Sequence, residues 1–240
     1  MAARNLILTG GLYHPFEAAS RTLAEVLGEV GFVSDITTDV HAGLAALAEG
    51  RYDLLTVFAL RWPMKEPRLA ADRERWGVQL TDADKAAIEG HLARGRGVLA
   101  LHTAAICFDD WPRWREIVGA GWAWGRSSHP PHGPASVRIT DDTHPITRGL
   151  QGFEFEDEAY SNMDLVPGIE ALATVRAPSQ EREWPCLWAR ELNGTRVAYD
   201  ALGHDSASLQ HPTHRRIVQR AALWCTRRET QPSPSLPRTE

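Results

Sequence analysis

Histidine is the residue type whose spacing in this chain most strongly suggests chemistry. Three histidines follow apolar segments that are typical of buried strands: His14 after NLILT and a Gly-Gly pair, His102 after GVLAL, and His204 after RVAYDAL. Imidazole titrates near neutral pH and can transfer protons, bind substrate or ligate a metal. Because ligands of an open parallel sheet bind outside the carboxyl ends of its strands, we predict that the three side chains share one site.

A run of acidic residues, Glu156, Asp157 and Glu158, is the candidate source of a carboxylate for that site. Alternate residues of a strand face opposite sides, so Asp157 should face away from the other two, and which of the three faces the site stays open. A histidine with a carboxylate supplies an acid and a base near neutral pH, as isomerisation, elimination or hydrolysis of a sugar requires. We take His102 and Glu158 as the candidate catalytic pair.

Further polar and aromatic residues near these segments are candidates for binding a substrate. Flat aromatic rings suit sugar faces as well as protein cores, which draws attention to Trp62, Trp122 and Trp124 among the nine tryptophans. The predicted substrate-binding residues are His14, His129, Tyr160, His204 and Trp124. The histidines predicted to be structural are His41, His91, His144, His211 and His214.

The same residues also allow a metal centre. His14, His102, Glu158 and His204 could ligate a divalent ion such as zinc and leave one position open for water. No compact ligand motif such as His-Glu-x-x-His is present. Motifs for dinucleotides, for P-loop nucleotides and for a serine nucleophile are also missing. Cys107 lies five residues after His102 and is expected to be a buried, inert thiol.

The elements that must position these residues alternate between strand and helix. Apolar runs predict strands over 5–9, 32–38, 52–60 and 97–101, and periodic segments predict helices over 14–30, 42–48, 81–95, 111–118 and 212–228. Residues 61–80 are predicted to be a long loop, and 119–125 a glycine-rich turn. After Ser136, short alternating strands with a turn at Asn193-Gly194 predict an antiparallel extension. The whole is predicted to be one α/β domain.

Several motifs in order resemble the ThuA-like (trehalose-utilisation) family. They are Gly10-Gly11 with His14-Pro15, GVLALH, GAGWAWGRSSHP, HPITRGL, DEAY and RVAYDALGH. The resemblance implies a class I glutamine amidotransferase-like, flavodoxin-like three-layer fold over residues 1–229, with a mostly parallel central sheet and an antiparallel extension. Residues 230–240, with three prolines, are predicted to be a disordered tail.

What the resemblance implies for function is sugar metabolism, on trehalose, sucrose or oxidised sugars. Where the amidotransferase relatives carry a cysteine nucleophile, this chain has His102, Thr103 and Ala104, so hydrolysis through a thioester is not expected. Three interpretations stay open: an acid–base enzyme acting on a small sugar, a metal-dependent hydrolase using the same residues, and a non-catalytic sugar-binding module.

The amino-acid composition argues against some classes of binding partner. With 26 Lys and Arg against 31 Asp and Glu, the net charge is −5, which offers no broad cationic surface for nucleic acid or membranes. No apolar segment approaches 18 residues, and three widely spaced cysteines favour a reducing cytoplasm. A symmetric homodimer is the oligomer we would expect first, although no sequence stripe marks an interface.

Overall fold

The computed structural model describes residues 2–229, and the predicted tail at 230–240 lies outside them. The strands are β1 (Ala3–Gly11), β2 (Phe32–Thr37), β3 (Leu54–Leu60), β4 (Gly97–Leu101), β5 (Ala120–Gly121), β6 (Gly133–Ile139), β7 (Phe153–Asp157), β8 (Asp164–Leu165), β9 (Ala173–Arg176), β10 (Trp184–Leu192) and β11 (Thr195–Asp200). The helices are α1 (Phe16–Gly28), α2 (Val40–Ala48), α3 (Ala70–Trp76), α4 (Asp82–Ala93), α5 (Pro112–Val118), α6 (Ser206–Gln210) and α7 (Pro212–Cys225).

In the described residues, nine strands form the central sheet in the order β2-β1-β3-β4-β11-β10-β9-β6-β7. The five strands from β2 to β11 pair in parallel, and the strands from β10 to β7 add an antiparallel extension, as predicted. Every residue of β3 and β4 is buried, which explains their uninterrupted apolar sequences. No helix in the described part of the chain is long and apolar enough to cross a bilayer.

Two groups of helices cover the parallel strands. One group, α1, α6 and α7, packs together against β1, β4 and β11, whereas α2 packs on α4 and on β1. These groups are the outer layers of a three-layer α/β fold. The helix α4 begins with a reciprocal capping box between Thr81 and Asp84, which satisfies backbone N–H groups that the first turn leaves free.

The segment 61–80, predicted to be a loop, contains a helix instead. A short 3-10 turn over Pro67–Leu69 leads directly into α3, whose sequence AADRERW is rich in good helix formers. The helix has no buried residue, so the apolar periodicity that would have indicated it is missing. The short elements α6, β5 and β8 also were not predicted, and β5 lies inside the region expected to be a glycine-rich turn.

Candidate functional site

The loops after four separate strands bring His14, His102, Glu158 and His204 together. His102 directly follows β4 and Glu158 directly follows β7, whereas His14 and His204 lie a few residues beyond β1 and β11. One potential ligand atom from each side chain lies within 4.8 Å of the others. We call these four residues the His/Glu cluster. These four residues were predicted to share one site although they are far apart in the sequence, and the structure places them next to one another.

Unusual backbone geometry is needed to place the two histidines of β1 and β4. Gly11 has φ +142°, and a Cβ there would lie 2.4 Å from the carbonyl oxygen of Leu60, so only glycine fits. His102 has φ +50°, which is uncommon for a residue with a side chain, and its imidazole is fully buried. Strained backbone of this kind concentrates at functional sites.

Hydrogen bonds to carbonyl groups determine which nitrogen of each imidazole carries a proton. The Nδ1–H of His14 donates to the Leu12 carbonyl at 3.0 Å, and the Nδ1–H of His102 donates to the Ala201 carbonyl at 2.8 Å. A neutral imidazole has one N–H, so the Nε2 atom of each ring presents a lone pair. These two Nε2 atoms face each other at 3.0 Å. Two lone pairs at this distance repel unless a proton or a metal ion lies between them.

The carboxylate of Glu158 faces the same point and is surrounded by imidazoles. Its Oε2 lies 3.3 Å from Nε2 of His102 and 3.6 Å from Nε2 of His14. Its Oε1 lies 3.3 Å from Nδ1 of His204 and 3.7 Å from Nδ1 of His129. Burial alone would raise the pKa of Glu158, but the imidazoles of His102, His14 and His204 outweigh it and hold that pKa well below its usual range.

The two outer histidines of the cluster experience opposite electrostatic effects. Burial lowers the pKa of His14, which favours the neutral ring with a free lone pair. Burial also acts to lower the pKa of His204, but the neighbouring Glu158 carboxylate outweighs it and raises the pKa. The rings of His14 and His204 lie in contact, with centroids 4.6 Å apart.

Tyr160 and His129, which were both predicted to bind substrate, lie beside the cluster. The hydroxyl of Tyr160 is 3.2 Å from Nε2 of His102, and its ring stacks on the His102 ring at 4.8 Å. Burial raises the pKa of Tyr160 well above its usual value, so this hydroxyl keeps its proton. The His129 ring lies 5.3 Å from Tyr160 and its side chain is about one-third exposed, at 34%.

Asp157 supports the cluster from behind. Its carboxylate accepts hydrogen bonds from the backbone N–H groups of Gly203 at 2.8 Å and Glu158 at 2.7 Å, and from the hydroxyl of Ser208. The expectation that Glu158 shares a face with Glu156, opposite Asp157, is wrong. The strand β7 ends at Asp157, so strand alternation no longer applies to Glu158, and both carboxylates point inward while Glu156 is exposed.

Trp124 was predicted to bind substrate, but the structure places it elsewhere. It packs on Trp62 with ring centroids 5.9 Å apart, donates its indole N–H to Asp109, and is 51% exposed. Trp122 is the tryptophan that borders the cluster, since its ring meets Tyr160 at 5.2 Å. The two tryptophans are separated by one residue, and sequence alone could not decide which one turns inward.

One further histidine was missed by the sequence reasoning. The ring of His132 lies 4.6 Å from the ring of His204, and its Nε2 is 3.9 Å from a carboxylate oxygen of Asp205. Its position three residues after His129 is the signal that could have found it. His144, in contrast, has the structural role that was predicted: it packs on Trp224 and accepts the Ile146 N–H.

The cluster is suited to a divalent cation. Three imidazoles and one carboxylate form a donor set that Zn²⁺ and similar ions prefer. The Nδ1–H bonds of His14 and His102 to carbonyl groups are the kind of contact that orients metal-binding histidines. Within residues 2–229, Oε2 of Glu158 and Nδ1 of His204 are buried and lack a hydrogen-bond partner. Buried polar atoms are seldom left unpaired, so these two atoms support the interpretation of the cluster as a cation site.

The amidotransferase nucleophile has no counterpart here. His102 occupies the position after the central strand β4, and the hydroxyl of Tyr199 donates to its carbonyl oxygen at 2.7 Å. Cys107 is fully buried, donates its thiol to the Ala59 carbonyl, and has its pKa raised to about 12 by burial. The structure therefore defines a three-layer α/β protein that has imidazoles, and not a cysteine, at the end of its central strand.

Comparisons with known proteins agree with this class and identify the family. The chain belongs to the ThuA family, described as trehalose utilisation, whose model matches residues 4–225. None of the curated proteins matches the chain by sequence.

Solved structures of low sequence identity share the fold. A putative ThuA-like protein from Parabacteroides merdae is 19% identical, with 98% of this chain and 94% of that chain covered and a TM-score of 0.78. A glutamine amidotransferase from Thermotoga maritima is 8% identical, with 94% and 99% covered and a TM-score of 0.54. The carbohydrate deacetylase Agd3 is 13% identical, with 94% of this chain but 32% of that chain covered and a TM-score of 0.59.

Proposed function

We propose that this protein is a divalent-metal-dependent enzyme acting on a small carbohydrate-like substrate, with the His/Glu cluster holding the ion. The observation that carries the proposal is the pair of Nε2 lone pairs on His14 and His102, which face each other at 3.0 Å next to the Glu158 carboxylate. A cation placed among these atoms removes the repulsion between the lone pairs and neutralises the buried negative charge.

The chemistry divides between the ion and the side chains around it. A divalent ion supplies Lewis-acid polarisation of a substrate carbonyl or hydroxyl oxygen. In this arrangement His102 and Glu158 hold the ion rather than transfer protons. The protonated hydroxyl of Tyr160 can donate a hydrogen bond to a substrate oxygen, and His129 beside it is partly exposed to solvent.

The similar proteins support a carbohydrate as the substrate. The family carries the description of trehalose utilisation, and one protein of similar fold is a carbohydrate deacetylase. A deacetylase of sugars and a hydrolase of glycosides both act on a carbonyl or acetal carbon, at which a cation with a neighbouring acid and base is effective. A hydrolytic reaction on a sugar or sugar ester is accordingly the class of reaction to test first.

A second candidate is a metal-free acid–base enzyme. The hydroxyl of Tyr160 and Oε2 of Glu158 both lie within 3.3 Å of Nε2 of His102, so one proton shared among these groups could replace the metal ion. In that case His102 and Glu158 are the proton-transfer pair. A non-catalytic sugar-binding module remains the third hypothesis, and only product analysis separates it from an enzyme.

Metal content distinguishes the first two candidates. Protein purified without chelators or affinity metals, then dialysed against Zn²⁺ or Mn²⁺, should hold about one ion per chain by elemental analysis. The isosteric variant Glu158→Gln should lose most of this metal, because it removes the one negative ligand. His144→Gln, which changes a histidine outside the cluster, is the matched control and should keep the ion.

Wild-type protein that stays far below one ion per chain after dialysis would support the metal-free candidate instead. Incubation with neutral sugars, sugar esters and glycosides, followed by product analysis, then tests turnover. Stabilisation by a sugar with no product over long incubation would favour the binding module.

A further inference from the structure

A cleft of about 830 Å³ opens beside the cluster and contains an arginine that has no ion-pair partner within residues 2–229. His14 lies in its wall together with Gly10, Gly11, Arg61, Arg75 and Trp76, and we call it the Arg61 cleft. Arg61 directly follows β3, the strand next to β1 in the sheet. The cleft therefore extends from the cluster along the carboxyl ends of the central strands, where ligands of this sheet type bind.

The Arg61 side chain is buried, and two of its nitrogen atoms have no acceptor in the described part of the chain. The residue is 6% exposed, and its Nε and Nη1 are buried with no hydrogen-bond partner among residues 2–229. It forms no ion pair with any carboxylate in this part of the chain. A guanidinium group has five N–H donors, and leaving a buried charge unpaired is costly. Arginines in such positions commonly bind a carboxylate or a phosphate of a ligand.

Packing on Trp76 does not replace the missing acceptor. The Arg61 guanidinium lies 5.1 Å from the centre of the Trp76 ring, and that of Arg75 lies 4.6 Å from it. Stacking satisfies the flat face of a guanidinium but leaves its N–H edge free. A Cβ on Gly10 would lie 3.5 Å from Nη1 of Arg61 and 2.8 Å from the Trp76 ring, so glycine keeps the space beside both groups open.

The charges around the cleft favour an anion. Besides Arg61, the arginines Arg21 and Arg75 line it. Among the lining residues that the structure describes, Glu17 is the one carboxylate, and it is paired with Arg21 at 2.7 Å. The first turn of the 13-residue helix α1 also borders the cleft, and the free N–H groups of a helix start attract negative charge.

We propose that the Arg61 cleft binds the oxyanion group, a carboxylate or a phosphate, of an acidic sugar whose reacting end lies at the His/Glu cluster. This inference rests on the proposed function for the position of the reacting end, but the anion site itself does not depend on the metal. Arg61 binds the oxyanion through its free N–H edge, and Trp76 offers an apolar wall to the sugar. The expected substrates are therefore sugar acids or sugar phosphates and not neutral sugars.

Binding of defined probes tests the proposal. Calorimetry on the full chain compares glucose, gluconate, glucuronate, glucose 6-phosphate and inorganic phosphate. We expect at least one acidic sugar to bind about 10-fold to 100-fold more tightly than glucose. The preference between gluconate or glucuronate and glucose 6-phosphate identifies the oxyanion as a carboxylate or a phosphate. Equal affinity for glucose and all the acidic probes would overturn the proposal.

Variants locate the site. Arg61→Met should reduce the affinity for the preferred acidic sugar to the affinity for glucose. Arg61→Lys keeps the positive charge but lacks the paired N–H donors of a guanidinium, so its affinity for the acidic sugar should be intermediate. The matched control is Arg190→Met, a half-buried arginine that donates to the Glu116 carbonyl outside the cleft. Full retention of the acidic preference in folded Arg61→Met would contradict the assignment.

The metal-dependent function and the anion site at Arg61 can be tested independently of each other. Arg61→Met should hold as much Zn²⁺ as the wild type, because it changes no ligand of the cluster. An acidic preference in protein that binds no metal would reject the metal-dependent function and support the anion site. Stoichiometric metal with no acidic preference would reject the anion site and support the metal-dependent function.

Discussion

At the scale of single residues, the site depends on contacts that only particular side chains can make. The Gly10-Gly11 pair places His14 because the chain passes so close to Leu60 that no Cβ fits at Gly11. Asp157 positions the loop of His204 through the backbone N–H of Gly203, and it also accepts the Glu158 N–H. The cluster is thus held mainly by backbone geometry and hydrogen bonds behind it, a requirement for precise ligand geometry.

Gly11→Ala tests the backbone requirement. The new Cβ would meet the Leu60 carbonyl oxygen at 2.4 Å in a conformation that alanine rarely adopts, so we expect a loss of about 2 to 4 kcal/mol in the free energy of unfolding. Gly149→Ala is the matched control, because Gly149 also has a positive φ, +69°, but a Cβ there would meet no atom of residues 2–229 within 4 Å. This control should lose only about 1 kcal/mol. Urea unfolding measures both, and equal losses would contradict the steric argument.

At the scale of elements, helix α4 is joined to strand β4 by a buried histidine. Nε2–H of His91 donates to the Gly97 carbonyl at 2.9 Å, while its Nδ1 is buried without a partner in the described chain. Burial, with smaller effects from Arg94 and Arg96, lowers the pKa of His91 to about 4. A second proton on this ring would have no acceptor, so the folded protein favours the neutral form.

The stability of this contact should depend on pH. Because the pKa of His91 is lower in the folded than in the unfolded chain, its contribution is complete above pH 6.5 and is lost as the pH falls towards 4. A difference of 6.5 − 4 = 2.5 pKa units corresponds to about 3 kcal/mol. His91→Gln keeps a donor for Gly97 without titrating, so it should lose less stability than the wild type over this range. Parallel pH curves of unfolding free energy for the two proteins would contradict the prediction.

At the scale of the whole molecule, the proposed ion joins segments separated by up to 190 positions, from His14 to His204. Binding that occurs only in the folded state stabilises that state by mass action, by about 2.7 kcal/mol at 100 times the dissociation constant. For a chain of this size the melting temperature should rise by roughly 5 to 10 °C with excess Zn²⁺. Glu158→Gln should show little of this shift. A wild-type melting temperature that changes with neither Zn²⁺ nor chelator would contradict the predicted stabilisation by the ion.

Local patterns in the sequence were sufficient to predict most of the architecture. The buried apolar runs of β3 and β4, the Gly-Gly pair after β1 and the Asn193-Gly194 turn are signals carried by neighbouring residues. They predicted the parallel sheet, its antiparallel extension and the strand ends at which His14, His102 and His204 lie. Helix α3 was not predicted because it buries no side chain and so shows no apolar period.

The sequence by itself determined which residue types arrive at the strand ends, since hydrophobic periodicity and turn chemistry act between neighbours along the chain. Only the tertiary structure decided how they meet. It buried both Asp157 and Glu158, placed Trp122 and not Trp124 beside the cluster, and brought His132 to His204. It also left Arg61 buried without an acceptor among residues 2–229. These outcomes depend on where β7 ends and on which loops pack together. Such contacts join residues far apart in the chain, so their positions are settled by packing of the whole fold.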